Sequence, residues 1–122
     1  PFKWTIVRNC GSDTAILVHD SEMLSVAVKT SGADIIFATF VKPLDERFLS
    51  ENKYSRFIVP ENNIPEGGLA QCICAYFMHK NIGKEVIGLA IDKLPEYYDK
   101  ALCFEKYGLT TENLNNIINN RT

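Results

Sequence analysis

The stretch TAILVHDSEMLSVAV, residues 14–28, decides how this chain folds. Thr14–Val18 is aliphatic and β-branched, which suits a strand. His19-Asp20-Ser21-Glu22 is polar and rich in turn formers. Leu24, Val26 and Val28 then stand on one face, the period of two that marks a half-buried strand. In this reading the stretch is strand, turn, strand, and strands joined by a short turn pair antiparallel.

The flanking residues extend the same pattern. Phe2–Ile6 alternates apolar and polar as a first strand, and Cys10-Gly11-Ser12-Asp13 supplies the turn after it. Thr30-Ser31-Gly32-Ala33 turns the chain again. Asp34–Lys42 contains IIFATFV, apolar on both faces, so it is expected to lie centrally in the sheet or to be covered on both sides. Pro43 ends it, because proline cannot donate to a ladder. Residues 44–52 suit two short helical turns carrying Leu44, Phe48 and Leu49. Tyr54–Val59 reads as a fifth strand closed by Pro60, and Glu61–Ile64 as a polar loop.

From Pro65 the period becomes helical. Pro65 and Glu66 suit a first helical turn. Leu69, Cys72, Ile73, Tyr76 and Phe77 form one stripe, with Ala70, Cys74 and Met78 on another, so this helix is expected to be central. Lys84–Leu94 reads as a second helix with Ile87, Ala90, Ile91 and Leu94 inward, broken by Pro95. Glu96–Tyr107 is a third, closed by Gly108 in a left-handed conformation. Thr110 or Thr111 caps a last helix bearing Leu114, Ile117 and Ile118.

The expected fold class is therefore α+β. An N-terminal antiparallel β-meander of four to five strands precedes C-terminal helices packed on one face, in a single domain over residues 1–122. Strands first and helices afterwards disfavour a βαβ parallel sheet. The expected core is Trp4, Ile36, Phe37, Phe40, Leu69, Ile73, Phe77, Ile87, Ile91 and Leu102.

The chain of 122 residues is 46% hydrophobic with a net charge of −2, a globular balance that excludes wholesale disorder. Its bases form no cluster, which argues against a nucleic-acid partner. No apolar run approaches the ~20 residues a membrane helix needs, so no membrane association is expected. PFKWTIVRN has no apolar segment after its charges, and an export signal is not expected. A cytoplasmic location follows, with Cys10, Cys72, Cys74 and Cys103 reduced.

Several residue groups carry the types that chemistry requires. Pro1, as a free secondary amine in apolar surroundings, could act as a general base. That use wants a long helix after the first strand, whereas Gly11–Thr30 carries turn signals. Cys72, Cys74 and His79 are potential ligands or nucleophiles. Cys72 and His79 lie ~10 Å apart along a helix, however, and Cys74 points away, so they do not converge and no metal is expected. His19, Asp20 and Ser21 are triad residue types, but as neighbours in a turn they do not line up for proton relay. Gly67-Gly68 at a helix start could bring backbone N–H groups to an anion, and more simply lets the helix begin close against the sheet.

Pro95-Glu96-Tyr97-Tyr98-Asp99 offers a surface. Tyr98 shares a helical face with Ala101 and Leu102, which leaves Tyr97 outward between carboxylates. Glu96, Tyr97 and Asp99 are therefore the expected partner-binding residues, suited to a protein that is basic where it meets them.

With no catalytic constellation, no catalytic residue and no cofactor are expected. The leading functional reading is a small protein that occludes a partner, of the immunity-protein or inhibitor type. A subunit of a larger assembly, with Ile35–Val41 or Leu69–Met78 partly at an interface, is the alternative. So is a small enzyme whose site is built across the sheet from His19, His79, a cysteine or Pro1.

Overall fold

The structure, a computed structural model, describes residues 3–39, 41, 43–62, 68–91 and 100–120. Its strands are β1 (Thr5–Arg8), β2 (Thr14–Val18), β3 (Asp34–Phe37), β4 (Arg56–Glu61) and β5 (Glu85–Ala90). Its helices are α1 (Ser21–Ala27), α2 (Glu46–Glu51), α3 (Leu69–His79), α4 (Lys100–Lys106) and α5 (Thr111–Asn119). The strands form one sheet in the order β1-β3-β2-β4-β5. The β2–β3, β2–β4 and β4–β5 pairs are parallel, and among the described residues only β1 runs antiparallel, against β3.

A sheet packed with helices agrees with the α+β expectation at its coarsest, but it is mostly parallel and not an antiparallel meander. The error begins in residues 14–28. Asp20 does not merely turn the chain: its Oδ1 accepts from Met23 N at 2.8 Å and caps α1. Met23 and Ala27, four residues apart, are the buried pair of that helix. The alternation of Leu24, Val26 and Val28 is incidental, and Val28 is exposed. With a helix here, β2-α1-β3 is a crossover unit, the connection that parallel strands require.

The second reversal is at β5. Spacing of Ile87, Ala90 and Ile91 suggested a helix, yet the segment pairs with β4 from Arg56↔Glu85 to Glu61↔Ala90. Gly88 on β5 packs where an added Cβ would lie 3.1 Å from Ala70 Cβ of α3. The expected helices α3 and α5 are present, and α4 occupies Lys100–Lys106 of the expected Glu96–Tyr107, whose residues 96–99 lie outside the described residues. Gly108 at φ +75° and the Thr110 cap on Asn113 N match the boundary signals, whereas Met78, expected on a covered stripe of α3, is 82% exposed.

Helices cover both faces of the sheet, not one. Ala15, Leu17, Phe57 and Val59 face α2 and α3 with Leu49, Leu69, Ile73 and Phe77. Ile16, Val18, Ile35 and Ile58 face the other way, against Met23, Ala27, Cys103, Leu109 and Leu114. Both faces being buried explains why β2 is TAILV and β4 RFIVPE, with every residue buried. Of the expected core, Trp4, Ile36, Leu69, Ile73, Phe77 and Ile91 are buried. Phe37 and Ile87 are half-buried, Leu102 is exposed at 64%, and Phe40 lies outside the described residues.

Candidate functional site

From β2 the chain crosses to β3 on one side, then returns past β2 to β4 and β5 on the other. The β2/β4 border is therefore the topological switch point, and open α/β sheets hold ligands at the carboxyl ends of such strands. Here β2 runs into His19 and β4 ends at Glu61. The helices that follow leave in opposite directions, α1 to one face and α3 to the other.

His19 and Glu61 meet across this border. His19 Nε2 lies 3.1 Å from Glu61 Oε1, with Glu61 buried and His19 at 18% side-chain exposure. The same Oε1 accepts from Leu69 N at 2.5 Å, and Oε2 accepts from Ala70 N at 3.0 Å. Glu61 thus caps α3 from eight residues upstream, as an anion at the positive end of a helix. Nearby, Asn62 Nδ2 donates to Glu22 Oε1 at 2.9 Å and ties the end of β4 to α1.

The electrostatics follow from these contacts. The hydrogen bond to Glu61 raises the His19 pKa above its ordinary value, against the opposing effect of burial. Burial pushes Glu61 up, but the bonds from His19, Ala70 N and Leu69 N outweigh it and hold its carboxyl below the usual carboxylate value. The pair can keep a proton on the imidazole at the mouth of the switch point. Glu61 already accepts three hydrogen bonds, and through them the ends of β2 and β4 are joined to the start of α3.

Gly68 belongs to this construction. A Cβ on it would lie 2.6 Å from Glu61 Oε1, so the absence of a side chain makes room for the carboxylate. An anion at the start of α3, weighed for Gly67-Gly68 from the sequence, is present as the chain's own Glu61, and Gly67 lies outside the described residues.

The opposite edge is held by a second polar cluster. Buried Asp34 accepts from Cys10 N at 2.8 Å, Ser12 N at 3.3 Å and Tyr54 OH at 2.5 Å. Burial raises Asp34, and these bonds more than reverse it, so its carboxyl lies below the usual value. Burial, with Asp34 beside it, pushes the Tyr54 hydroxyl far above its ordinary pKa. Arg56 reaches from β4 to Thr14 Oγ1 and to the carbonyls of Ile117, Ile118 and Asn120 at the end of α5.

The residues singled out from sequence fare unevenly. Glu96, Tyr97 and Asp99 lie outside the described residues, as does Pro1. The inward stripe from which an outward Tyr97 was inferred is overturned, because Ala101 and Leu102 are exposed and α4 buries Cys103 instead. On α3, Cys72 and Cys74 are half-buried and His79 is exposed, and burial raises the Cys74 thiol. No group of three or more potential metal ligands assembles among the described residues. His19, rejected as a triad member with Asp20 and Ser21, is bound instead to Glu61, 42 residues away. In sequence Glu61 reads as the start of a loop, whereas it ends β4. Its signal was a single acid closing an apolar run, just before a helix that opens on glycine.

Comparison with known proteins identifies the family of this chain. Residues 3–114 match the family described as "Transketolase, C-terminal domain". The chain belongs to the transketolase C-terminal domain family. The inhibitor and immunity-protein reading is thereby corrected, since the match is to a domain of an enzyme. The 1-deoxy-D-xylulose-5-phosphate synthase of Pseudomonas syringae pv. tomato is 34% identical over 122 residues, covering 95% of this chain and 19% of that protein. The enzyme of the same name from Carboxydothermus hydrogenoformans is 36% identical over 83 residues, covering 66% of this chain and 13% of its own length. This transketolase C-terminal domain thus spans less than a fifth of those relatives. A solved "Split gene transketolase, inactive beta4 tetramer" has the same fold, with a TM-score of 0.76 and 19% identity over 97% of this chain and 41% of that one. No helix among the described residues is long and apolar enough to cross a membrane.

Proposed function

We propose that this chain is the transketolase C-terminal domain of an enzyme of the 1-deoxy-D-xylulose-5-phosphate synthase kind, acting as one part of a larger assembly. The observation that carries the reading is the 34% identity across 95% of the chain to a protein in which it accounts for 19% of the length. Its protein partner is the remainder of that enzyme, in the cytoplasm. This is the assembly-subunit alternative drawn from the sequence, not an occluding inhibitor. The geometry at the switch point supports it, because Glu61 anchors α3 and His19 is bound to Glu61, a supporting arrangement for chemistry that other segments perform.

The test is a chimera. The transketolase C-terminal domain of the Pseudomonas syringae enzyme is replaced by this chain, and formation of 1-deoxy-D-xylulose-5-phosphate is compared with that of the enzyme lacking the domain. The chimera is expected to match the parent's mass in solution and to form product well above the truncated enzyme. A chimera that assembles like the parent yet forms no more product than the truncated form overturns the reading.

A further inference from the structure

Glu61 is held by donors from two directions. Leu69 N and Ala70 N approach from α3, and His19 Nε2 from the end of β2. An ionised carboxylate only accepts, so Nε2 must carry a proton whether the ring is charged or neutral. The hydrogen bond can therefore survive titration of His19, while the ion pair cannot. With 2% of its side chain exposed, Glu61 has little water to replace a lost counter-charge. The charged groups acting on the ring among the described residues are Glu61 of β4 and Asp20 at the cap of α1, both acidic. Glu22 of α1, bonded to Asn62, adds a third carboxylate to the same edge.

We propose that His19 and Glu61 form a proton-operated brace across the switch point. With the imidazole charged, the pair ties the end of β2 to the first turn of α3. Loss of that proton slackens the tie while leaving the fold in place. The direction in pH is set by the shifts. His19 is raised above its ordinary 6.5, so its contribution is complete below that pH and disappears as pH rises through the folded value. Glu61 is lowered from 4.5 and stays ionised throughout that interval. The carboxyl edge of the parallel strands thus acquires a pH-dependent stiffness, whichever enzyme the domain serves.

Amide hydrogen exchange by NMR on the 122-residue chain tests this, with the imidazole titration of His19 followed in the same samples. Protection of Leu69 and Ala70, corrected for intrinsic exchange, is expected to fall about threefold or more as pH rises through the His19 midpoint. His79→Gln, at the far exposed end of α3, serves as the control and is expected to leave the step in place. His19→Gln keeps an N–H donor and cannot titrate, so it is expected to abolish the step. Constant protection across the wild-type His19 titration overturns the brace, as does a step that persists in His19→Gln. The wild-type measurement decides the matter by itself if that variant does not fold.

Discussion

Gly68 and Tyr54 show how single residues hold the two polar clusters. Adding a methyl group at Gly68 would place carbon 2.6 Å from Glu61 Oε1, an oxygen of a carboxylate that three donors hold in position, two of them on Oε1 itself. Glu61 would have to leave at least one of those donors, and overpacking with a disturbed buried hydrogen bond costs about 1–3 kcal/mol. Gly68→Ala is therefore expected to lower the unfolding free energy measured in urea by that amount and to reduce protection of Leu69 and Ala70. Tyr54→Phe removes one donor from buried Asp34 and is expected to cost about 1–3 kcal/mol. The lowered pKa of Asp34 means its contribution is present above 3.8 and is lost as pH falls through the folded value. Without the hydroxyl that pKa rises, so acid unfolding of Tyr54→Phe should begin at a higher pH than in the wild type. A thermal midpoint followed from neutral pH downward reads both effects.

At the scale of elements, α1 and β5 show what local pattern conveys and what it does not. In residues 14–28 two periods coexist: Leu24, Val26 and Val28 two apart, and Met23 with Ala27 four apart. The cap decides between them, because Asp20 Oδ1 on Met23 N satisfies a donor that a strand would have to pair elsewhere. Asp20→Ala is expected to cost about 1 kcal/mol, read from urea unfolding, with loss of helical signal confined to α1. In β5 the apolar spacing of a helix was genuine, yet β4 offers a fully buried edge to pair with, and six residues form the ladder. Such pairing lies far from the segment in sequence, which is why periodicity alone misassigned it. The helices α3 and α5 were legible because each carries its own stripe and boundary signal, Gly68 and the Thr110 cap. The site was half legible. His19 was noticed, but its partner is a strand end 42 residues on, and only tertiary structure joins the two.

For the whole molecule, the sheet separates two apolar cores and every central strand contributes to both. Composition indicated a globular chain of strands and helices, but not which faces the helices cover, since that depends on the crossovers. Phe77 of α3 stands 3% exposed, with its ring 5.7 Å from that of Phe57 on β4. Phe77→Ala is expected to cost about 3–5 kcal/mol in urea unfolding, with the opposite core structurally intact. A loss under 1 kcal/mol would show that this core does not depend on the pair.

Arg56 has a consequence in time. Its guanidinium lies in a strand at the middle of the chain, yet its carbonyl acceptors belong to residues 61, 62 and 64 positions later. A nascent chain on the ribosome exposes β2 and β4 well before α5 has been made. Through that interval the cation has Thr14 but lacks the carbonyls that receive it in the finished fold, and a buried cation without partners is strongly unfavourable. Until α5 emerges the guanidinium therefore has to stay open to water, and its burial waits on that helix. Complete burial of this cation is thus among the last steps open to the chain during synthesis.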